Sequence, residues 1–181
     1  MRFHSRREKL LWTAAAVYAL LIYSTLGLVR TVTTFLRDRN LLRLSIGLVF
    51  ALAAAGVVGW MMRRRARWQE WAALAGIAVA YAAIFPFAVA PEERIHLLQY
   101  GALAVLLFLA LAERPLSLPR RATFAVLLTT LAGLVDEILQ GLHPARYWDI
   151  RDVAFNALAG AIAVAALVVM ERAGEKGQLT S

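Results

Sequence analysis

The chain has 181 residues, 61% of them hydrophobic and 18% charged, with a mean hydropathy of +0.62. Soluble domains hold roughly 45–50% apolar residues, so too few polar side chains remain here to cover a soluble surface, and 11 Gly with 5 Pro exclude a collagen-like or disordered chain. The net charge of +8 would suggest nucleic acid in a soluble protein, and the absence of cysteine rules out disulfides and thiolate metal sites.

Taken in chain order, Arg2, Arg6, Arg7 and Lys9 precede an apolar run from Leu10 to about Val29. The run resembles a signal peptide, but its length and the unsuitable Tyr23-Ser24-Thr25 sequence predict an uncleaved first membrane helix. Further apolar segments follow at Leu44–Met62, Trp71–Ala90, Ile95–Ala112, Ala122–Leu139 and Val153–Met170. Each approaches the roughly 20 residues that cross a hydrocarbon core. The expected fold is therefore all-α, a polytopic membrane bundle of about six transmembrane helices. Ala90-Pro91-Glu92-Glu93 marks a helix start, because proline at the first position and carboxylates in the first turn suit a helix N-terminus.

Arg63-Arg64-Arg65-Ala66-Arg67 directly follows a span, so it reads as a topology signal at anionic headgroups and not as a nucleic-acid patch. With the N-terminus inside, the inner connections and tails carry thirteen Lys and Arg against seven outside. That bias predicts both termini in the cytoplasm, with Arg37–Arg43 running against it. Trp12, Trp60, Trp68, Trp71 and Trp148 lie near span ends, as an aromatic belt requires. Residues 1–90 carry no recognisable motif, 91–170 carry the polar motifs, and 171–181 form a polar cytoplasmic tail.

The spans are mostly Ala, Leu, Val and Ile, so their polar exceptions carry information. Ionisable groups inside a membrane are costly and tend to be functional. Three groups stand out: Glu92, Glu93, His96, Gln99 and Tyr100; then Asp136, Glu137 and Gln140; then Arg146, Asp149, Arg151, Asp152 and Asn156. In the expected topology all three lie at the outer face. Spacings of three and four align Glu93, His96 and Tyr100 on one face, Gly133, Glu137 and Gln140 on a second, and Asp149, Asp152, Asn156 and Gly160 on a third. Plain structural roles compete: Glu92, Glu93, Asp149 and Asp152 suit helix N-termini, and Asn156 suits helix–helix bonding. Asp136 and Glu137 resist that reading, because a helix C-terminus disfavours negative charge and needs a cation, proton or donor there.

His96-Leu97-Leu98-Gln99-Tyr100, Asp136-Glu137-Ile138-Leu139-Gln140, Pro144-Ala145-Arg146, Asp149-Ile150-Arg151-Asp152 and Asn156-Ala157-Leu158-Ala159-Gly160 together resemble the VanZ-like family over roughly residues 91–170. Its members are small bacterial membrane proteins, and its founding member is associated with teicoplanin resistance. The resemblance implies a role in the cell envelope and a place in the bacterial inner membrane. This chain has Glu93 where the family often has lysine, Gln99 where the nearest branch often has glutamate, and Ala145 and Ala159 where the family has glycines.

Three functions remain open on these residues. In the first, an outer-face cleft binds a lipid-linked envelope precursor, with Arg146 and Arg151 meeting an anion and Glu93, Gln99, Tyr100, Asp136, Gln140, Asp149 and Asn156 shaping the site. In the second, a hydrolase or transferase works on such a lipid, with Glu137 or Asp152 as general base and His96 moving the proton or ligating a metal. One histidine with several carboxylates suits Mg²⁺ or Mn²⁺ better than Zn²⁺, although no specific metal motif is present. In the third, the charges form only a structural ion-pair network. No Ser, Thr or Cys nucleophile accompanies the three groups, and no charge sits deep in a span as in transporters. Membrane lipids are the expected partners, and nucleic acid is not.

Overall fold

A computed structural model describes residues 3–63, 65–84, 91–142 and 148–178, with all side chains within them except those of 26–30, 91–93 and 173–178. The described residues form seven α-helices and no strand: α1 (Arg6–Ser24), α2 (Leu26–Asp38), α3 (Leu42–Arg63), α4 (Trp68–Ile84), α5 (Pro91–Ala112), α6 (Leu118–Gly141) and α7 (Ile150–Gln178). Four stretches are long and apolar enough to cross a membrane: Leu42–Arg63, Arg94–Ala112, Leu118–Gly141 and Ile150–Arg172. The chain is thus a multi-pass helical membrane protein. The other two expected spans fall on α1, which opens with Arg6, Arg7, Glu8 and Lys9, and on α4, whose 17 residues rise about 25 Å. Residues 85–90 of the latter lie outside the described residues.

The first apolar run does not continue to Val29 as a single helix. The hydroxyls of Ser24 and Thr25 both bond back to the Leu21 carbonyl, and that competition ends α1 at Ser24. A separate amphipathic helix, α2, follows, with Val32 and Phe35 exposed and the Arg39 guanidinium 3.7 Å over the Phe35 ring. Asn40 closes α2 in the left-handed region (φ 58°), with Leu41 N–H donating to Leu36 O and Asn40 N–H to Arg37 O, a Schellman pattern. Arg65 (φ 54°) repeats that pattern after α3, and the Glu70 carboxylate then accepts the Arg67 N–H at the start of α4. Proline opens α5 as expected.

Helices α5, α6 and α7 pack on one another, α1 covers α5, and α4 lies against α7. The core centres on α5, where Leu97, Tyr100, Leu103, Ala104, Leu107, Phe108 and Leu111 meet Ala15 and Ile22 of α1, Ala125 of α6, and Ala159 and Val164 of α7. By contrast, α3 turns Leu44, Leu48, Leu52 and Trp60 outward, the surface expected against lipid chains.

Polar contacts close one end of the bundle. Ser5 caps α1 by accepting the Glu8 N–H (2.9 Å), and its hydroxyl donates to Glu113 in the α5–α6 turn (2.9 Å). The buried Glu8 carboxylate takes the Arg114 Nε–H, Arg7 pairs with Glu113, and Arg121 of α6 pairs with Glu171 of α7. The His4 backbone N–H, followed by Arg114, holds Glu8 below the ordinary carboxylate value of 4.5 against the opposing effect of its burial. Because the folded value is the lower one, Glu8 contributes stability that is complete above about pH 4.5 and is lost as pH falls through the folded value. Melting temperatures of wild type and Glu8→Gln in detergent should therefore differ at pH 6 and converge as pH falls toward about 3. A constant difference over that range would contradict the assignment.

Candidate functional site

The opposite end of the bundle gathers the polar residues. His96 stands in the second turn of α5, Asp136, Glu137 and Gln140 in the last two turns of α6, and Asp149 directly before α7. One ligand atom each from His96, Asp136 and Glu137 lie within 4.8 Å of one another, and all three residues are buried. Neighbouring positions 136 and 137 both become buried because α6 is flanked on two sides. Asp136 interacts with Tyr100 of α5, while Glu137 accepts the backbone N–H of Asp149 (3.2 Å).

Uncharged donors partly answer the carboxylates. Gln140 Nε2 donates to Asp136 Oδ2 and to Glu137 Oε1, both at 3.1 Å. The N–H groups at the start of α7 present the positive end of a helix dipole to Glu137, which offsets the unfavourable C-terminal position of that residue on α6. Against this, Asp152, Asp136 and Asp149 all repel negative charge on Glu137. Two further polar side chains lie fully buried without hydrogen bonds of sound geometry among the described residues: the Tyr100 hydroxyl, which interacts electrostatically with Asp136 and Glu137, and both amide atoms of Asn156.

Of the residues expected from sequence, His96, Tyr100, Asp136, Glu137, Gln140 and Asn156 are buried together in the α5–α6–α7 interior. Gln99, Asp149 and Asp152 are half-buried and Arg151 is exposed. Asp149 takes a capping role, its Oδ1 accepting the Arg151 N–H at 2.8 Å. The Glu93 side chain and Arg146 lie outside the described residues. Sequence reasoning missed Tyr23, which approaches from α1, donates to the Ala132 carbonyl (3.0 Å) and interacts with Asp136 and Tyr100. Its only sequence signal is an aromatic residue near a span end, which is equally expected of a lipid-facing ring.

Glycine lets α6 and α7 approach at this level. A Cβ on Gly133 would stand 2.9 Å from Asn156 Cβ and 3.1 Å from its Nδ2, so no side chain fits without moving α7. Gly133→Ala should cost about 1–3 kcal/mol through overpacking. Gly59→Ala on α3, with nothing within 4 Å, should be neutral or stabilise by up to about 1 kcal/mol. Denaturant titrations in micelles would decide, and equal effects of the two substitutions would contradict the packing described.

The comparisons add no relative: no family model, no curated protein and no solved structure matches the chain.

Proposed function

We propose that the chain is a six-span protein of a bacterial inner membrane, related to the VanZ-like family, with both termini in the cytoplasm. On this reading the polar cluster at the outer end of α5, α6 and α7 binds the phosphate-bearing headgroup of a lipid-linked envelope component. The observation that carries it is the convergence of His96, Asp136 and Glu137 from two helices, closed by the start of a third. Glu137 stands four residues from the end of α6, about 6 Å along its axis. That depth is where a headgroup meets the hydrocarbon, well away from the midplane where transporters mark their path. The exposed guanidinium of Arg151 supplies positive charge at the rim, and the excess of basic residues at the other end of the spans supports the orientation.

A second reading, a hydrolase or transferase on the same lipid class, draws on the proximity of the His96 imidazole to the Glu137 carboxylate, a pairing able to move a proton. Lipid analysis of the purified protein tests the binding they share. Wild type should retain phosphate-bearing lipid enriched several-fold over the bulk membrane, and Glu137→Gln and Arg151→Ala should each lose that enrichment while remaining helical. Equal lipid in all three would contradict the proposal.

A further inference from the structure

We propose that α2 and the turn after it form a binding surface for anionic phospholipid. The helix lies in the membrane interface with Val32 and Phe35 among the acyl chains, while Arg39 and Arg43 hold headgroup phosphates. This surface is separate from the α5–α6–α7 cluster and stands whether or not that cluster binds lipid.

Placement comes first. The 13 residues of α2 rise about 20 Å, too little to cross the ~30 Å hydrocarbon core. The apolar span of α3 begins at Leu42, and only Arg39, Asn40 and Leu41 separate the two helices. The end of α2 is therefore held at the level where a span enters the membrane.

The faces of α2 come second. Val32 and Phe35, three apart, are exposed side by side, whereas Thr34 and Arg37 are exposed around the far side of the helix. Thr33 is turned into the protein, where α1 and α3 are the neighbours of α2. Leu41 in the turn, and Leu44 and Leu48 after it, are exposed as well, so the outward apolar surface follows the chain into α3. A short helix with one apolar exposed face and one polar face lies on a membrane and does not span it.

Charge then names the lipid. Arg39 and Arg43 are exposed, and neither guanidinium makes a hydrogen bond or ion pair among the described residues. Arg39 sits 3.7 Å over the Phe35 ring. Contact through the face of a guanidinium leaves its in-plane N–H groups for a phosphate, which they can meet with two parallel bonds. Arg43 stands in the first turn of α3, which holds no acid; the helix dipole disfavours a cation there, and a headgroup anion offsets that cost. Asp38 is the only acidic residue between Glu8 and Glu70. The basic stretch Arg37–Arg43 runs against the inward charge bias of the spans, and retention at anionic headgroups gives that exception a physical cause.

The experiment puts a fluorophore on a single cysteine, Val32→Cys, in the full chain, which has no cysteine of its own. The protein is reconstituted in vesicles of phosphatidylcholine and phosphatidylglycerol in equal amounts, with a quenching nitroxide on the acyl chains of one lipid or the other. Both nitroxide lipids should quench the label, and the phosphatidylglycerol form should do so at least about twofold more efficiently. Replacing both arginines, Arg39→Gln with Arg43→Gln, should remove that preference, and so should raised salt. A label at Leu52→Cys, exposed in the middle of α3, should show no preference. An unquenched label at position 32 would place this face outside the lipid and overturn the proposal. Equal quenching by the two lipids, or a preference that survives in the double variant, would overturn it as well. Both arginines are exposed, so their replacement leaves the packed core untouched.

Discussion

Two adjacent carboxylates, Asp136 and Glu137, are buried where α6 ends, and much of the surrounding structure answers the cost of placing them there. Gln140, one turn later on α6, donates to both. The first backbone N–H before α7 is delivered to Glu137, which places the start of α7 beside the end of α6. His96 approaches from α5, and Tyr23 and Tyr100 bring hydroxyl groups from α1 and α5. Residues from three helices and the residue just before a fourth are thus engaged around one point. Glycine at position 133 allows α7 to come close enough for Asn156 to be buried one turn deeper.

The two ends of the bundle handle charge differently. At the Glu8 end, carboxylates meet guanidinium groups directly: Glu8 with Arg114, Glu113 with Arg7, and Glu171 with Arg121. These contacts tie the start of α1 to the α5–α6 turn and the C-terminal part of α7 to the first turn of α6. At the Glu137 end, Gln140 and the Asp149 backbone bring amide donors to the Glu137 carboxylate, and the acids crowd one another.

Much of this was legible in the sequence because it rests on local period. Steps of three and four put His96 with Tyr100 and Glu137 with Gln140, and the buried faces of α5 and α6 follow those steps. The anomaly of acids at a helix C-terminus pointed correctly to compensation, part of which is the N-terminus of α7. Asp149 proved to be the cap that its position suggested. What escaped the sequence depended on tertiary contact. The value of Tyr23 appears only once α1 lies against α5 and α6, and the burial of Asp136 beside Glu137 requires a neighbour on each side of α6. The break after Ser24 was a local signal, two hydroxyl residues returning to one carbonyl, concealed within an apolar run long enough to suggest an unbroken span.

The central claim is that α6 and α7 meet in the one register that sets Asn156 against Gly133 and the start of α7 against Glu137. Because the chain has no cysteine, oxidative cross-linking of the double variant Gly133→Cys, Asn156→Cys in native membranes tests it on a clean background. A Cβ at 133 lies so near the Cβ of 156 that relaxation by under an ångström reaches the ~3.5–4.5 Å a disulfide requires. The account predicts rapid and nearly complete disulfide formation in that pair, and none when the second cysteine replaces Leu158, which is exposed elsewhere on α7. No cross-link in the first pair, or equal yields in both, would contradict the register and with it the assembled site.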